Sequence, residues 1–357
     1  MRKLCAYARL SGWPFALALT LMCSFTGYAR AFSDPLKTPA SAVEQITSAH
    51  LTSIAEVNGV LIAVGARGLI ALSDDDGKSW DQVASPVSSD LLDLDFPDDK
   101  HGWIVGHDGV VLRTTDGGYS WQKQYDGWQA HEMFRRHFTE LQETGYEMAA
   151  AYLNVVELNY KDGPEQALMD VWFRNPKEGF AVGTFGTLMA TSDGGKNWSS
   201  WMERIDNPEV LHYNAIAGDK DGVFLASERG KIYRLNAAGS KFDALTTGYS
   251  GTFFTISVHG DDVIAAGLRG TIYHSADGGD SWLQIDSGIS SSITDSRALG
   301  DERFLLASID GRIFTLDAET GKLERHPVEN RGRYSSIAGT PGKNLVTVGF
   351  SGIRPVQ

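Results

Sequence analysis

The chain has 357 residues, 39 of them glycine and 11 proline, and a formal net charge of −13. A charge that negative repels phosphate backbones and disfavours broad adhesion to anionic lipid, which argues against nucleic acid as a partner. Cysteine occurs only at Cys5 and Cys23, so no disulfide framework is available to the rest of the chain.

The N-terminus reads as a targeting segment. Arg2, Lys3 and Arg9 precede an apolar run from Trp13 to Phe25, and Ala29-Arg30-Ala31 has small residues in the pattern of a cleavage site. The run is short for a bilayer span. Residues 1–31 are therefore expected to be a signal peptide cleaved after Ala31, giving a periplasmic or secreted protein with no membrane span. A lipid anchor at Cys23 is the weaker reading, because Thr20-Leu21-Met22 is a poor small-residue box. The segment holds four basic residues and no acid, so its loss would leave a net charge of −17.

From residue 51 onward the chain repeats itself. HGWIVGHDGVVLRTTDGGYSW (His101 to Trp121) returns as GFAVGTFGTLMATSDGGKNW (Gly179 to Trp198), IAAGLRGTIYHSADGGDSW (Ile264 to Trp282) and LIAVGARGLIALSDDDGKSW (Leu61 to Trp80). Shortened copies run from Phe224 to Leu235, Phe304 to Leu316 and Asn344 to Val356. Aligned on the first Gly or its Ser substitute, they stand at Gly65, Gly106, Gly183, Ser227, Gly267, Ser308 and Gly349. The steps are near 40 residues except for one of 77, which holds an insertion. That period, with short β-type runs, predicts an all-β fold: a seven-bladed β-propeller of four-stranded antiparallel blades. In the first copy the four strands are Leu51 to Val57, Gly59 to Val64, Leu69 to Ser73 and Trp80 to Val83.

The turn after each third strand has a fixed pattern, Ser/Thr-x-Asp-x-Gly-x-x-Trp, carried by Asp75 and Trp80, Asp116 and Trp121, Asp193 and Trp198, and Asp277 and Trp282. This is the Asp-box. The aspartate can accept backbone N–H bonds within the turn, the glycine can adopt positive φ, and the indole can bury against the blade. The expected role is structural. Asp74-Asp75-Asp76-Gly77 faintly resembles a calcium loop but lacks its ligand ladder and closing Glu. The nine histidines are scattered, so no metal site, cofactor or catalytic residue is assigned.

The last repeat stops one strand short, and Ser41 to Thr47 precedes the first. That spare segment is expected to complete the seventh blade and close the ring. The insertion, about 126–165 between blades two and three, has apolar residues at helical spacing: Phe134, Phe138, Leu141, Met148, Tyr152 and Val155. Thr144-Gly145 looks like a C-cap and turn, which favours a helical hairpin over one long helix. Its apolar stripe can pack on the propeller while the other face, with Arg135 and Arg136, serves as a docking arm.

In a propeller, the turns between second and third strands share one face with the blade-to-blade connections, so the insertion belongs there too. Just before the second glycine those turns carry Arg67, Asp108, Phe185, Arg229, Arg269, Asp310 and Ser351, with His107 and Glu228 one residue earlier. Three arginines at equivalent positions suit forked recognition of carboxylate or phosphate groups. Plain hairpin turns, with Arg67 paired to Asp108 and Arg269 to Asp310, are the competing explanation.

The consensus VG-x-x-G-x-I-x-x-T-x-DGG-x-SW with its GW-x-VG lead-in, clearest at His101–Trp121 and Gly179–Trp198, resembles the photosystem II stability/assembly factor-like family. The resemblance covers about residues 41–357. It implies a seven-bladed BNR-repeat propeller that assists assembly of membrane complexes without catalysis, with an arginine-rich face that Arg67, Arg229 and Arg269 would represent. For the exported bacterial branch it implies an accessory role for a membrane complex or transport system. The expected partner is a membrane protein or complex subunit, and the chain alone is expected to be monomeric. The alternative is a glycoside hydrolase, sialidase-like or glucanase-like, since Asp-boxes also occur there. Against it, the Arg-Ile-Pro lead motif is absent, and Asp108 and Asp310 fall three blades apart, poorly placed for a carboxylate pair.

Overall fold

The computed structural model describes residues 33–329, 331–339 and 344–356. The expected signal segment and cleavage site, with Cys5 and Cys23, lie outside the described residues. The described residues from Asp34 onward form one compact unit.

Seven antiparallel sheets follow one another along the chain, six of four strands and a last one of three, each ordered as in sequence. Blade one runs Leu51–Val57, Val60–Gly65, Ile70–Ser73 and Asp81–Val83. The seven-bladed propeller read from the glycine positions is therefore the observed fold. Its core consists of apolar clusters that mostly join neighbouring blades. Ile62, Ile70 and Val64 of blade one, for example, pack with Leu94, Ile104 and Leu112 of blade two.

Every innermost strand has a register break near its start, as between Leu51 and Ser53 and between Ile293 and Asp295. Such a bulge re-aims side chains. Here it turns the second and third residues towards the next blade. Thr52 and Thr294 hydroxyls donate to the carbonyls of Leu91 and Tyr334, the first residues of the following blades. Third-residue side chains accept the amide of the next blade's fourth residue: Asp170 from Ile216, Thr255 from Ser296, Asp295 from Ile337. Ser336 of blade seven accepts from Ile54 of blade one (3.4 Å), so this belt passes through the closure of the ring.

The expected closing strand over residues 41–47 is not a strand. Blade seven has three strands, Tyr334–Ala338, Val346–Gly349 and Arg354–Pro355. Pro355 removes a donor from the outermost of them, which spoils a further ladder. The segment instead clips blades seven and one together. Gln82 of blade one accepts from Val43 N–H and donates to Ser41 O, Ile353 N–H donates to Thr47 O (3.0 Å), and Val43, Ile46 and Ala49 pack beside Val348 and Ile353. Upstream, Leu36 is buried against blades one and two, and Ser88 N–H donates to Pro35 O.

The insertion is a helical hairpin, α1 (Gly127–Glu143) and α2 (Ala149–Asn159). Asp126 caps α1 by accepting from the amides of Trp128 and Gln129, and its carboxylate also takes Lys123 Nζ at 2.8 Å. Gly145, at φ +82°, ends the first helix. Phe134 and Phe138 are buried with Trp103, Tyr125 and Trp198 of the blades, and Leu141 and Tyr152 pack against that cluster. Tyr152 donates to Met202 O and His137 Nε2 lies 3.1 Å from Glu203 of the segment leaving blade three. The apolar stripe thus packs on the propeller. Met148 departs from the expected stripe and is exposed at the bend, and Arg135 and Arg136 point to solvent.

Candidate binding face

The turns between second and third strands are built alike. Arg67, Asp108, Phe185, Arg229 and Arg269 all have φ between 52° and 60°, each followed by a glycine of positive φ. This is the two-residue hairpin turn whose twist matches the strands, and Asn or Asp is its favoured first residue. Only Asp108 fits that preference. A bulky L-residue in the left-handed region costs on the order of 1–2 kcal/mol, so the arginines and Phe185 are not there for the backbone's sake. Asp310 and Ser351 lack this conformation.

The paired-charge explanation does not hold for these side chains. Asp108 accepts from Ser89 Oγ at 2.6 Å, and Asp310 binds Arg312 of its own blade at 2.7 Å. Arg67 and Arg269 are exposed and make no ion pair among the described residues. Their backbones are fixed, the Arg67 amide by Asp90 (2.7 Å). Arg229 is paired with Glu209 of the preceding connection, and Glu228 accepts from the His212 amide. His107 is exposed, its amide donating to Asp90 O. Phe185 is exposed and edge-on to His212 at 4.8 Å.

The structure adds cations that repeat alignment missed. Arg331 and Arg333, in the connection from blade six to seven, are exposed and free of ion pairs among the described residues. Arg333 lies over the ring of Phe350 (5.0 Å), itself stacked on His50 (4.1 Å) and 53% exposed. Arg269, Arg331, Arg333 and Arg67 thus occupy an arc from blade five through seven to one. The helical hairpin starts at the same face, where Gly127 abuts the Asp108 turn, but its body packs on the outer side of blades two and three, with Phe134 and Phe138 beside Trp198 and Met202 and with Arg136 near the box residues Lys196 and Asn197. Asn330-Arg331-Gly332-Arg333 is plain in the sequence, but connections do not repeat, so nothing aligns it with the turns.

The innermost strands bring together a second group that sequence reading missed: Asp93, Asp95, Asp170, Asp295 and Arg297. Burial raises Asp93 and raises Asp170 well above the usual carboxylate range, and each also feels the other across a shared hydrogen bond. Burial pushes Asp95 to about 7, with the Asp93 charge adding to it and the Phe173 amide opposing. Their oxygens are engaged: Asp93 takes the Ser53 hydroxyl, Asp170 the amides of Val171 and Ile216, and Asp295 the hydroxyl and amide of Ser336 and Ile337. The group laces blades. Among the described residues, no cluster of His, Cys, Asp or Glu is arranged to hold a metal ion.

The Asp-boxes are self-contained. Asp75 accepts from the Ser73 and Ser79 hydroxyls and the Lys78 and Ser79 amides, and Asp116, Asp193 and Asp277 take the same kinds of partner. Those bonds, led by the Ser79 and Ser281 hydroxyls, hold Asp75 and Asp277 at about 2.

Fold and face together define a BNR-type seven-bladed propeller that presents variable turns on one side and structural boxes on the other. The sequence profile described as "Photosynthesis system II assembly factor YCF48" matches residues 72–149 and 146–315, and the chain belongs to that family. Among its relatives, Photosystem II assembly lipoprotein Ycf48 from Synechococcus sp. (strain CC9902) is 24% identical over 65% of this chain and 60% of that protein. Photosystem II stability/assembly factor HCF136, chloroplastic, from Cyanidioschyzon merolae (strain NIES-3377 / 10D) is 30% identical over 36% of this chain and 33% of that protein. The chain therefore matches less than two thirds of the length of either. A solved structure described as "YCF48 bound to D1 peptide" superposes with a TM-score of 0.61 at 16% identity, covering 91% of this chain and 98% of that one. RRP9 WD40 repeats superpose at 0.60 with 9% identity, over 87% and 90%. At these identities the structural likeness concerns the fold. No helix among the described residues is long and apolar enough to cross a membrane.

Proposed function

We propose that this chain is an exported, non-enzymatic assembly factor that holds an acidic extramembrane segment of a membrane-protein subunit, in an assembling complex or a transport system. The observation that carries this reading is the pair Arg67 and Arg269: exposed guanidinium groups without ion pairs among the described residues, on turns whose backbone disfavours arginine. Arg331 and Arg333 extend the cationic arc, and Phe350 supplies an apolar contact beside it. A forked guanidinium binds carboxylate in two parallel hydrogen bonds, which gives orientation as well as affinity. The family's assembly-factor names and the D1 peptide bound to YCF48 in its solved structure support the class of role and of ligand. Relatives named as lipoproteins support a site of action at a membrane surface. The carboxylates that a glycoside hydrolase would need, Asp108 and Asp310, are committed to Ser89 and Arg312, and nothing else in the site favours that chemistry.

The test is capture from detergent-solubilised membranes of the source cell with the purified propeller as bait. Arg67→Glu/Arg269→Glu should lower recovery of its membrane-protein clients about tenfold or more, the loss expected when charged anchors are reversed. Undiminished recovery by a folded double variant overturns the assignment.

A further inference from the structure

The box tryptophans have a common place. Trp80 packs against Val346 and Val348 of blade seven, Trp121 against Ile62 of blade one, Trp198 against Trp103 of blade two, and Trp282 beside Phe224 and Leu245 of blade four. Each fills the outer part of the cleft shared with the preceding blade. Blade four has no box. Pairing of Leu235 with Phe242 puts Phe242 at the tryptophan position, on a turn without the Ser/Thr-x-Asp motif.

The cleft in front of blade four is correspondingly open. A cavity of about 530 Å³ lies there, lined by Trp172, Phe180, Trp201 and Leu235, with Arg174, Arg204 and the exposed Glu178 at its edge and with Asp193, whose oxygens are taken by Thr191 and Asn197, on its wall. The equivalent cavity at the box-filled junction of blades two and three, lined by Arg113, Thr115, Ser120 and Gln122, is about 170 Å³, and a separate cavity of about 390 Å³ lies there between Trp198 and helix α1. Blade six also lacks a box, with Leu323 at the equivalent position, and the cleft before it opens to about 770 Å³. That one is walled by Asp261, Asp262, Asp301, Glu302 and Glu319, which do not suit an apolar guest. The cleft before blade four does. Its volume falls in the range of about 300–1,000 Å³ typical of ligand sites, and Arg204 already lies over the Trp201 ring at 4.6 Å and Arg174 over Trp172 at 5.8 Å. The Arg174 guanidinium has no ion pair among the described residues.

We infer that the cleft between blades three and four is a second docking site, and that it accepts a tryptophan side chain flanked by carboxylates from a partner protein. The repeat supplies the occupant's chemistry: at four equivalent clefts this chain inserts its own tryptophan, five residues after an aspartate. Tryptophan, with tyrosine and arginine, is enriched among the anchors that fill desolvated interface pockets. Arg174 meets the flanking carboxylates, while Arg204 is already paired with Glu203 at 3.6 Å. The site lies at the Asp-box end of the cleft, running from Trp172 and Arg174 at the innermost strand to residues of the blade-three box, and is separate from the arginine turns.

The probe is a cyclised peptide with the sequence of residues 275–282, an isolated box carrying its own aspartates and tryptophan. It is titrated into the intact protein while the indole N–H resonances of Trp172 and Trp201 are followed by NMR. Those resonances are expected to shift with a Kd below about 1 mM. The same peptide with Trp282→Ala should bind at least about tenfold more weakly. Arg174→Glu, at an exposed position, should weaken binding several-fold, whereas Arg67→Glu should not, which keeps this site distinct from the proposed client face. No shift at millimolar peptide, equal binding of the two peptides, unchanged binding by Arg174→Glu, or equivalent shifts produced by a neutral oligosaccharide would each overturn the inference.

Discussion

The two ends of each third strand make an instructive contrast. In blades one, two, three and five an Asp-box turn sits at one end, and at the other a left-handed hairpin turn whose first residue is Arg67, Asp108, Phe185 or Arg269. In the boxes the aspartate oxygens are used within their own turn, as Asp75 shows with four donors. In the opposite turns the backbone is repeated but the side chain is not, and Arg67 and Arg269 direct their charge at solvent. Repetition of a residue with its partners marks structure. Repetition of a backbone shape under a changing, locally unfavourable residue is the ground on which a recognition role is proposed for these turns.

The sharpest way to break this contrast is to set large effects at one end against small ones at the other. Trp121→Ala removes a ring from the cleft between blades one and two and should cost about 3–5 kcal/mol, seen in urea or thermal unfolding. A loss below about 1 kcal/mol would mean the box is ornamental. Proton linkage gives the next effect, with opposite signs in two regions. Asp95 has a folded value of about 7 against 3.8 unfolded, so its contribution is full below about pH 4 and is lost as pH rises towards 7. Asp75 and Asp277, held at about 2, contribute above about pH 4 and lose that contribution as pH falls towards 2. Melting temperature against pH should therefore decline on both sides, and Asp95→Asn should flatten the upper decline while leaving the acid side intact. A profile unaltered by that substitution would show that the Asp95 carboxyl has no part in the upper decline. The smallest effect is expected at Arg67: Arg67→Ala should change stability by no more than about 0.5 kcal/mol in the same unfolding assay. A larger loss would move that turn to the structural side of the contrast.

Much of the fold was legible because the repeat offers seven readings of one sheet. Gly65, Gly106 and their counterparts set the period, and strand limits in blade one differ from expectation by a residue or so. The hairpin in the insertion followed from Thr144-Gly145 and the spacing of Phe134 and Phe138. Legibility failed where repetition fails. Residues 41–47 have no counterpart, and counting strands could not reveal that Pro355 would deny them a ladder. Arg331 and Arg333 stand in a connection with no equivalents. Asp93, Asp170 and Asp295 do occupy one repeat position, but alternating polar residues in a strand ordinarily read as solvent-facing. Only the bulge before them, a backbone feature, turns them inward between blades.

The hydroxyl of Ser336 holding the amide of Ile54 has a further implication. Six junctions of the hoop join blades that are consecutive in the chain; the seventh joins its two far ends with side chains and a clip in place of a shared ladder. Mechanical or thermal opening would begin at that seam, and the remaining wedges, still threaded in order, could close again without relearning their neighbours.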